Sequence, residues 1–129
     1  MGIVNNGKNL MLQRLGGITA TQINTMGVGS DSTVFAVTQT QLNPSGGGAT
    51  PILQALDAGS PTEASQVLTC QTTWSTTEGN LAGGVAWQEI GLFNGTVNGT
   101  STLFNRIVIP AITKTSALSI VAQITITQG

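Results

Sequence analysis

Trp87-Gln88-Glu89-Ile90-Gly91-Leu92-Phe93-Asn94-Gly95 and Leu103-Phe104-Asn105-Arg106-Ile107-Val108-Ile109-Pro110 are two runs rich in branched and aromatic side chains. Between them stand Asn94-Gly95 and Asn98-Gly99, the dipeptide that most readily enters the left-handed conformations of tight hairpin turns. Trp87 to Phe93 and Leu103 to Ile109 are therefore expected to pair as an antiparallel hairpin. In the first run Ala86, Gln88, Ile90 and Leu92 oppose Val85, Trp87, Glu89 and Gly91, because a strand alternates its faces. The second is apolar on both faces except at Asn105 and Arg106, and Pro110, which cannot donate a ladder hydrogen bond, is expected to end it.

Outward from the hairpin the pattern repeats. Val67 to Trp74 places Leu68, Cys70, Thr72 and Trp74 on one face. Ala117 to Thr127 alternates Leu118, Ile120, Ala122, Ile124 and Ile126 with polar or smaller partners, so the former set is expected inside. Thr21 to Val28 has β character, and Gly27-Val28-Gly29-Ser30-Asp31-Ser32-Thr33 reads as the turn out of it. The one helical pattern is Asn5 to Gly17, with Asn5 or Asn6 as N-cap, Gly16 as stop, and Met11, Leu12 and Leu15 as the side that must dock. Residues 43–61 form a Gly/Pro-rich insertion in which only Ile52 to Ala58 could form a helical turn. So long an excursion is expected to be a contact arm, with Pro44, Pro51, Ile52, Leu53 and Leu56 as its candidate contact residues. About six to eight short strands at turn-punctuated intervals predict an all-β, jelly-roll-like β-sandwich over residues 21–129, preceded by an N-terminal arm with a short helix at 1–20.

The 129 residues suffice for one core without disulfides or metals. Only 7% are charged, against roughly 25% in typical soluble domains. Thr, Ser, Gln, Asn and Gly replace the missing charge, and burying neutral hydroxyls and amides in an assembly costs far less than burying unpaired charges. The composition therefore reads as that of a subunit. Lys8, Arg14, Arg106 and Lys114 make no basic patch, so phosphate-driven nucleic-acid binding is not expected. No window approaches the ~20 apolar residues of a membrane span. Met1-Gly2-Ile3-Val4-Asn5-Asn6 lacks the charged and apolar regions of a secretory signal, so synthesis in a cytoplasm is expected.

The chain contains no His and no Tyr, which excludes nucleophilic sites built on Ser/His or Cys/His pairs and removes common zinc ligands. Cys70, the single cysteine, lies within an apolar alternation and reads as a core thiol. Asp31, Asp57, Glu63, Glu78 and Glu89 could supply a carboxylate pair for glycoside hydrolysis only without any motif. Glu89 stands apart, mid-strand in a chain nearly devoid of charge. It either faces solvent or pairs with Arg106 across the hairpin. Gly46-Gly47-Gly48-Ala49-Thr50 lacks the Lys and preceding strand of a phosphate loop, and the two Asn-Gly-Thr sequons read as turns. No catalytic, cofactor-binding or metal-ligating residues are expected.

The order Met26-Gly27-Val28-Gly29-Ser30-Asp31-Ser32-Thr33, a Thr/Gln/Leu stretch, Trp87 to Asn94, Leu103 to Pro110 and a closing strand from Leu118 to Thr127 resembles small virion structural proteins of tailed bacteriophages, of the head-decoration or tail-fibre-like kind. The likeness spans roughly residues 20 to 128, and Glu-Ile-Gly-Leu-Phe-Asn with the following Asn-Arg strand is its most specific part. The 43–61 insertion departs from it. The resemblance implies a β-sandwich used as an assembly module of the virion, with no catalytic residues. The first expectation is a capsid decoration or cement protein, a homotrimer that holds major capsid subunits together. The alternative is a tail-fibre or baseplate module that binds a host receptor or glycan, which the 4% aromatic content disfavours.

Overall fold

In the computed structural model, which describes residues 2–18, 22–42, 52–81, 84–95 and 101–128, all strand pairings are antiparallel. The elements in chain order are β1 (Gly2–Ile3), α1 (Asn5–Leu15), β2 (Ile23–Gly29), β3 (Ile52–Ala55), β4 (Thr62–Ala64), β5 (Val67–Trp74), β6 (Trp87–Gly95), β7 (Ser101–Ile112) and β8 (Ile120–Thr127). One sheet has the order β1-β7-β6-β2-β3 and the other β4-β5-β8. The fold is all-β with one short helix among the described residues.

The expected hairpin is β6–β7, with Glu89 opposite Val108, Gly91 opposite Arg106 and Phe93 opposite Leu103. It sits inside the larger sheet, and both its faces are covered. Ile90, Leu92 and Phe104 meet Cys70, Trp74 and Ile124 of the smaller sheet in the main core cluster. Phe93 and Leu103 pack on the opposite face against Val4 and Leu42, with Phe35 and Leu53 beside them. Strands covered on both sides read as nearly continuous apolar runs, which is why β7 shows no clean alternation.

Slips in the ladder account for residues that break the expected alternation. The pairing shifts between Trp87 and Glu89, and Trp87 joins the main core while Glu89 lies on the other face with Arg106. There Trp74 meets Trp87 edge-on, ring centroids 5.4 Å apart, a geometry that adds roughly 0.5–1.5 kcal/mol beyond burial. Trp87 Nε1–H donates to the Gly79 carbonyl at 2.7 Å. Pro110 does not end β7, which continues to Ile112. It falls within the irregular stretch, past the end of β1, where the ladder does not need its missing N–H. A second slip lies between Leu92 and Phe93, and the buried Asn105 side chain accepts the Leu92 N–H at 2.9 Å there.

Other elements differ from the sequence reading. Gly27 is part of β2 and not of the following turn, and a Cβ there would lie 2.7 Å from Leu53 and 2.8 Å from Phe93. Ile52 to Ala55 forms a strand paired with β2, not a helical turn. Ile52 and Leu56 pack on the main core and Leu53 on the smaller cluster, so these three candidate contact residues are partly buried supports of the sheet. Pro44, Pro51 and the Gly46–Gly48 run lie outside the described residues, as does Asn98-Gly99. β8 starts at Ile120, and Leu118, expected inside, is exposed.

The N-terminal segment is woven into the larger sheet: β1 pairs with β7 at Asn105 and Arg106, and Val4 is fully buried. The N-cap of α1 is Val4, without a side-chain cap, in place of Asn5 or Asn6. At the other end Gly17 takes φ +72°, its N–H reaches Arg14 O, and Ile18 N–H reaches Gln13 O at 2.9 Å, the paired bonds of a glycine-stopped helix. The docked side of α1 is Gly7 and Leu10. Met11, Leu12 and Leu15, expected to dock, are 51%, 66% and 86% exposed.

Gly7 permits this docking, since a Cβ at that position would overlap the Phe104 carbonyl of β7. Alanine in a helix ordinarily stabilises relative to glycine. Here Gly7→Ala is expected to lower stability by about 1–3 kcal/mol, read from the denaturant midpoint, because α1 must move off β7. A neutral or raised midpoint contradicts the packing.

Candidate functional site

The charge pair anticipated across the hairpin is buried on the outer face of the larger sheet. Arg106 and Glu89 lie on the same face, diagonally across the β6–β7 ladder, and Arg106 Nε donates to Glu89 Oε2 with both side chains fully out of solvent. The rest of the guanidinium is occupied by the segment that follows β2. Nη2 donates to Asp31 O at 2.8 Å, and Nη1 to Thr33 O at 2.8 Å and to Gln39 Oε1 at 3.4 Å. The Asp31 carboxylate lies 3.8 Å from Nη2. A guanidinium has five N–H donors and no way to lose its charge, so a buried one must find this many acceptors. Residues 31–39 are thereby fastened over the sheet while Val34, in the same segment, stays 87% exposed.

The other acidic groups fasten turns. Asp31 accepts Thr33 N–H at 2.9 Å and Thr33 Oγ1–H at 2.8 Å, and the backbone bond, ahead of the hydroxyl and the Arg106 charge, holds its carboxyl below the usual range. Asp57 binds Gln71 Nε2 at 3.0 Å, Thr73 Oγ1 at 2.8 Å and Thr73 N at 2.9 Å, and bonds from the Gln71 and Thr73 side chains lower its pKa. Glu78 accepts Ser75 N–H at 2.9 Å, which lowers its pKa first, with Ser75 and Gln54 side-chain bonds and the Lys114 charge behind it. Lys114, nearly buried, donates to Ser75 O at 2.7 Å and Asn80 Oδ1 at 3.1 Å. Glu63 accepts Gln66 N–H at 3.1 Å. Cys70 is buried in the main core, and burial pushes its thiol up to about 11. Among the described residues no three His, Cys, Asp or Glu side chains gather as metal ligands would, and no helix is long and apolar enough to cross a membrane.

The feature with the reach to bind something is the apolar surface around α1. Met11, Leu12, Leu15 and Ile18 stand exposed, and an open groove of about 770 Å³ runs between the helix and the ends of β5 and β8. Met11, Leu15, Ile23, Leu68, Phe104 and Ile126 contribute to its walls, with Arg14, Gln22 and Gln128 as polar members. Helical spacing put Met11, Leu12 and Leu15 on the docking side without Ile18, whereas Gly7 and Leu10 take that role through close backbone approach. Asp31, Thr33 and Gln39 as partners of Arg106 were likewise not foreseen. Asp31-Ser32-Thr33 carries the local signal of an Asx turn, and nothing ties it to Arg106.

Comparison with protein-family models, with curated proteins and with solved structures gives no match.

Glu89→Gln removes the buried counter-charge of Arg106 and leaves only the partly exposed Asp31 carboxylate at 3.8 Å, and a loss of about 3–5 kcal/mol is expected in chemical denaturation. Unchanged stability contradicts a buried pair. A second expectation concerns pH. Asp31, Asp57 and Glu78 have folded pKa values below their unfolded ones, so their contribution is complete above about pH 4.5 and is lost as the pH falls through the lowered folded values. With no histidine, the melting temperature is expected to stay flat over roughly pH 5 to 8 and to fall below pH 4. Asp57→Asn is expected to shallow that acid-side fall, measured by thermal scans across the range.

Proposed function

We propose that this chain is a non-enzymatic structural protein of a bacteriophage virion, a head-decoration protein that packs against major capsid subunits and against copies of itself. The observation that carries the reading is the exposed apolar row Met11, Leu12, Leu15 and Ile18 beside an open apolar groove, on a molecule with few charges. Contiguous exposed apolar surface marks sites of protein association, and a neutral surround lowers the desolvation cost of burying it. The resemblance of the Glu89-to-Asn94 run and the Asn105-Arg106 strand to small virion proteins supplies the biological setting. The finer architecture that accompanies this reading is a jelly-roll-like sandwich, the oligomer a homotrimer, and the place of synthesis the host cytoplasm.

The residues on which binding depends are Leu12 and Leu15, whose exposure makes them dispensable for folding. Leu12→Asp with Leu15→Asp is expected to leave the denaturant midpoint within about 0.5 kcal/mol of the parent and to abolish sedimentation with capsid shells that lack this protein. Quantifying the chain in purified virions tests the location. Copies in proportion to the major capsid protein are expected, and a copy number matching a tail component overturns the decoration reading in favour of a fibre or baseplate module.

A further inference from the structure

We infer that β8 is a pairing edge, which joins the chain to a second copy of itself in an antiparallel β8–β8 ladder. The inference stands on backbone geometry and is independent of the virion reading. β8 ends the smaller sheet and pairs with β5 from Val67 opposite Thr127 to Trp74 opposite Ile120, without a register shift. In an antiparallel pair the residues of one parity turn N–H and C=O toward the partner strand and those of the other parity turn away. Gln128 N–H bonds Gln66 O in continuation of this ladder, so the even-numbered residues of β8 serve β5. β5 reports the same parity from its other side. Gln71 O accepts the Asp57 N–H, Gln71 N–H reaches Ser60 Oγ, and Thr73 N–H reaches Asp57 Oδ1, all directed away from β8. Val121, Gln123, Thr125 and Thr127 therefore aim their backbone groups at the open side, and their side chains are exposed as well.

An open edge is a template for another strand, and folded chains ordinarily blunt it with brevity, charge, proline or a bulge. The other edges among the described residues carry such devices. β1 is two residues long and β3 four, and β4 is three with Glu63 at its centre. The part of β7 beyond β1 holds Pro110 and a register slip. β8, Ile120-Val121-Ala122-Gln123-Ile124-Thr125-Ile126-Thr127, has none of them. Among the described residues no other edge matches its length, so the occupant that fits is a second β8. With outward residues facing one another, Val121 lies opposite Thr127 of the second copy, Gln123 opposite Thr125, and Ile124 sits on the two-fold axis. No charges meet, and β-branched Val121 faces Thr127 while Ile124 faces its own copy, which favours cross-strand packing. The half-buried Ile126, which also lines the groove beside α1, gains cover from the same contact.

A two-fold contact joins chains in pairs. Light scattering of the purified chain is therefore expected to give twice the mass found for Thr125→Pro, which removes an outward N–H and leaves the ladder to β5 intact. Hydrogen exchange on the same samples is expected to show Ala122, Ile124 and Ile126 amides protected in both, and Gln123 and Thr127 amides protected only in the parent. Should proline also release the even-numbered amides, Gln123→Lys with Thr125→Lys gives the reading by side chain alone, because it sets lysines directly opposite one another, and it too is expected to halve the mass. Equal masses for the parent and the lysine variant, or rapidly exchanging Gln123 and Thr127 amides in the parent, overturn the proposal.

Discussion

A guanidinium sealed from water imposes a demand that the surrounding chain must meet. Arg106 sits within the larger sheet with its side chain wholly buried, so its N–H donors must be met by the protein. Glu89 neutralises it from the neighbouring strand, and the carbonyls of Asp31 and Thr33 take the remaining donors. Those carbonyls belong to an irregular segment, so satisfying the charge draws residues 31–39 down onto the sheet. Phe35 and Leu42 then pack on the smaller apolar cluster with Phe93, Leu103, Val4 and Leu53. One buried charge thus gives an extended connection a fixed path, and that path in turn covers the outer face of the hairpin.

The hairpin itself was legible from two apolar runs with turn dipeptides between them, although Asn94-Gly95, read as a turn, extends β6 and pairs with Thr102 and Ser101. Val67 to Trp74 and the inward set Ile120, Ala122, Ile124 and Ile126 were legible for a related reason, each with one face buried and the other exposed. The Glu89–Arg106 pair could be proposed because charges are scarce here, while its burial could not, since the covering segment has no repeat or motif. Trp87 and Pro110 were misplaced by register slips, which alternation cannot reveal. Gly27 reads as a turn residue by type, yet it serves as a flat spot where Leu53 and Phe93 close in. Met11, Leu12 and Leu15 have the spacing of a docking face, but the glycine side of the helix allows a closer approach of backbones and prevails.

Most of the few ionised groups are occupied inside the molecule. Glu89 and Arg106 are buried together, Asp31, Asp57 and Glu78 brace turns, and Lys114 gathers the Ser75 carbonyl and Asn80. Glu89, Arg106 and Lys114 are buried and the remaining charges are few, so hydroxyls, amides and the apolar row of α1 largely set how the surface meets its surroundings. For such a surface association is weakly sensitive to salt, because there is little charge to screen.

Cys70 gives the fold a kind of chemical silence. Thiol oxidation and exchange proceed through the thiolate, and a thiol held near 11 in a dry core offers almost none at neutral pH. The folded chain can therefore pass from a reducing compartment into an oxidising one without acquiring a covalent link or losing one. The chemistry of the Cys70 sulfur is thereby confined to the unfolded state, and thiol–disulfide exchange leaves no mark on the folded chain.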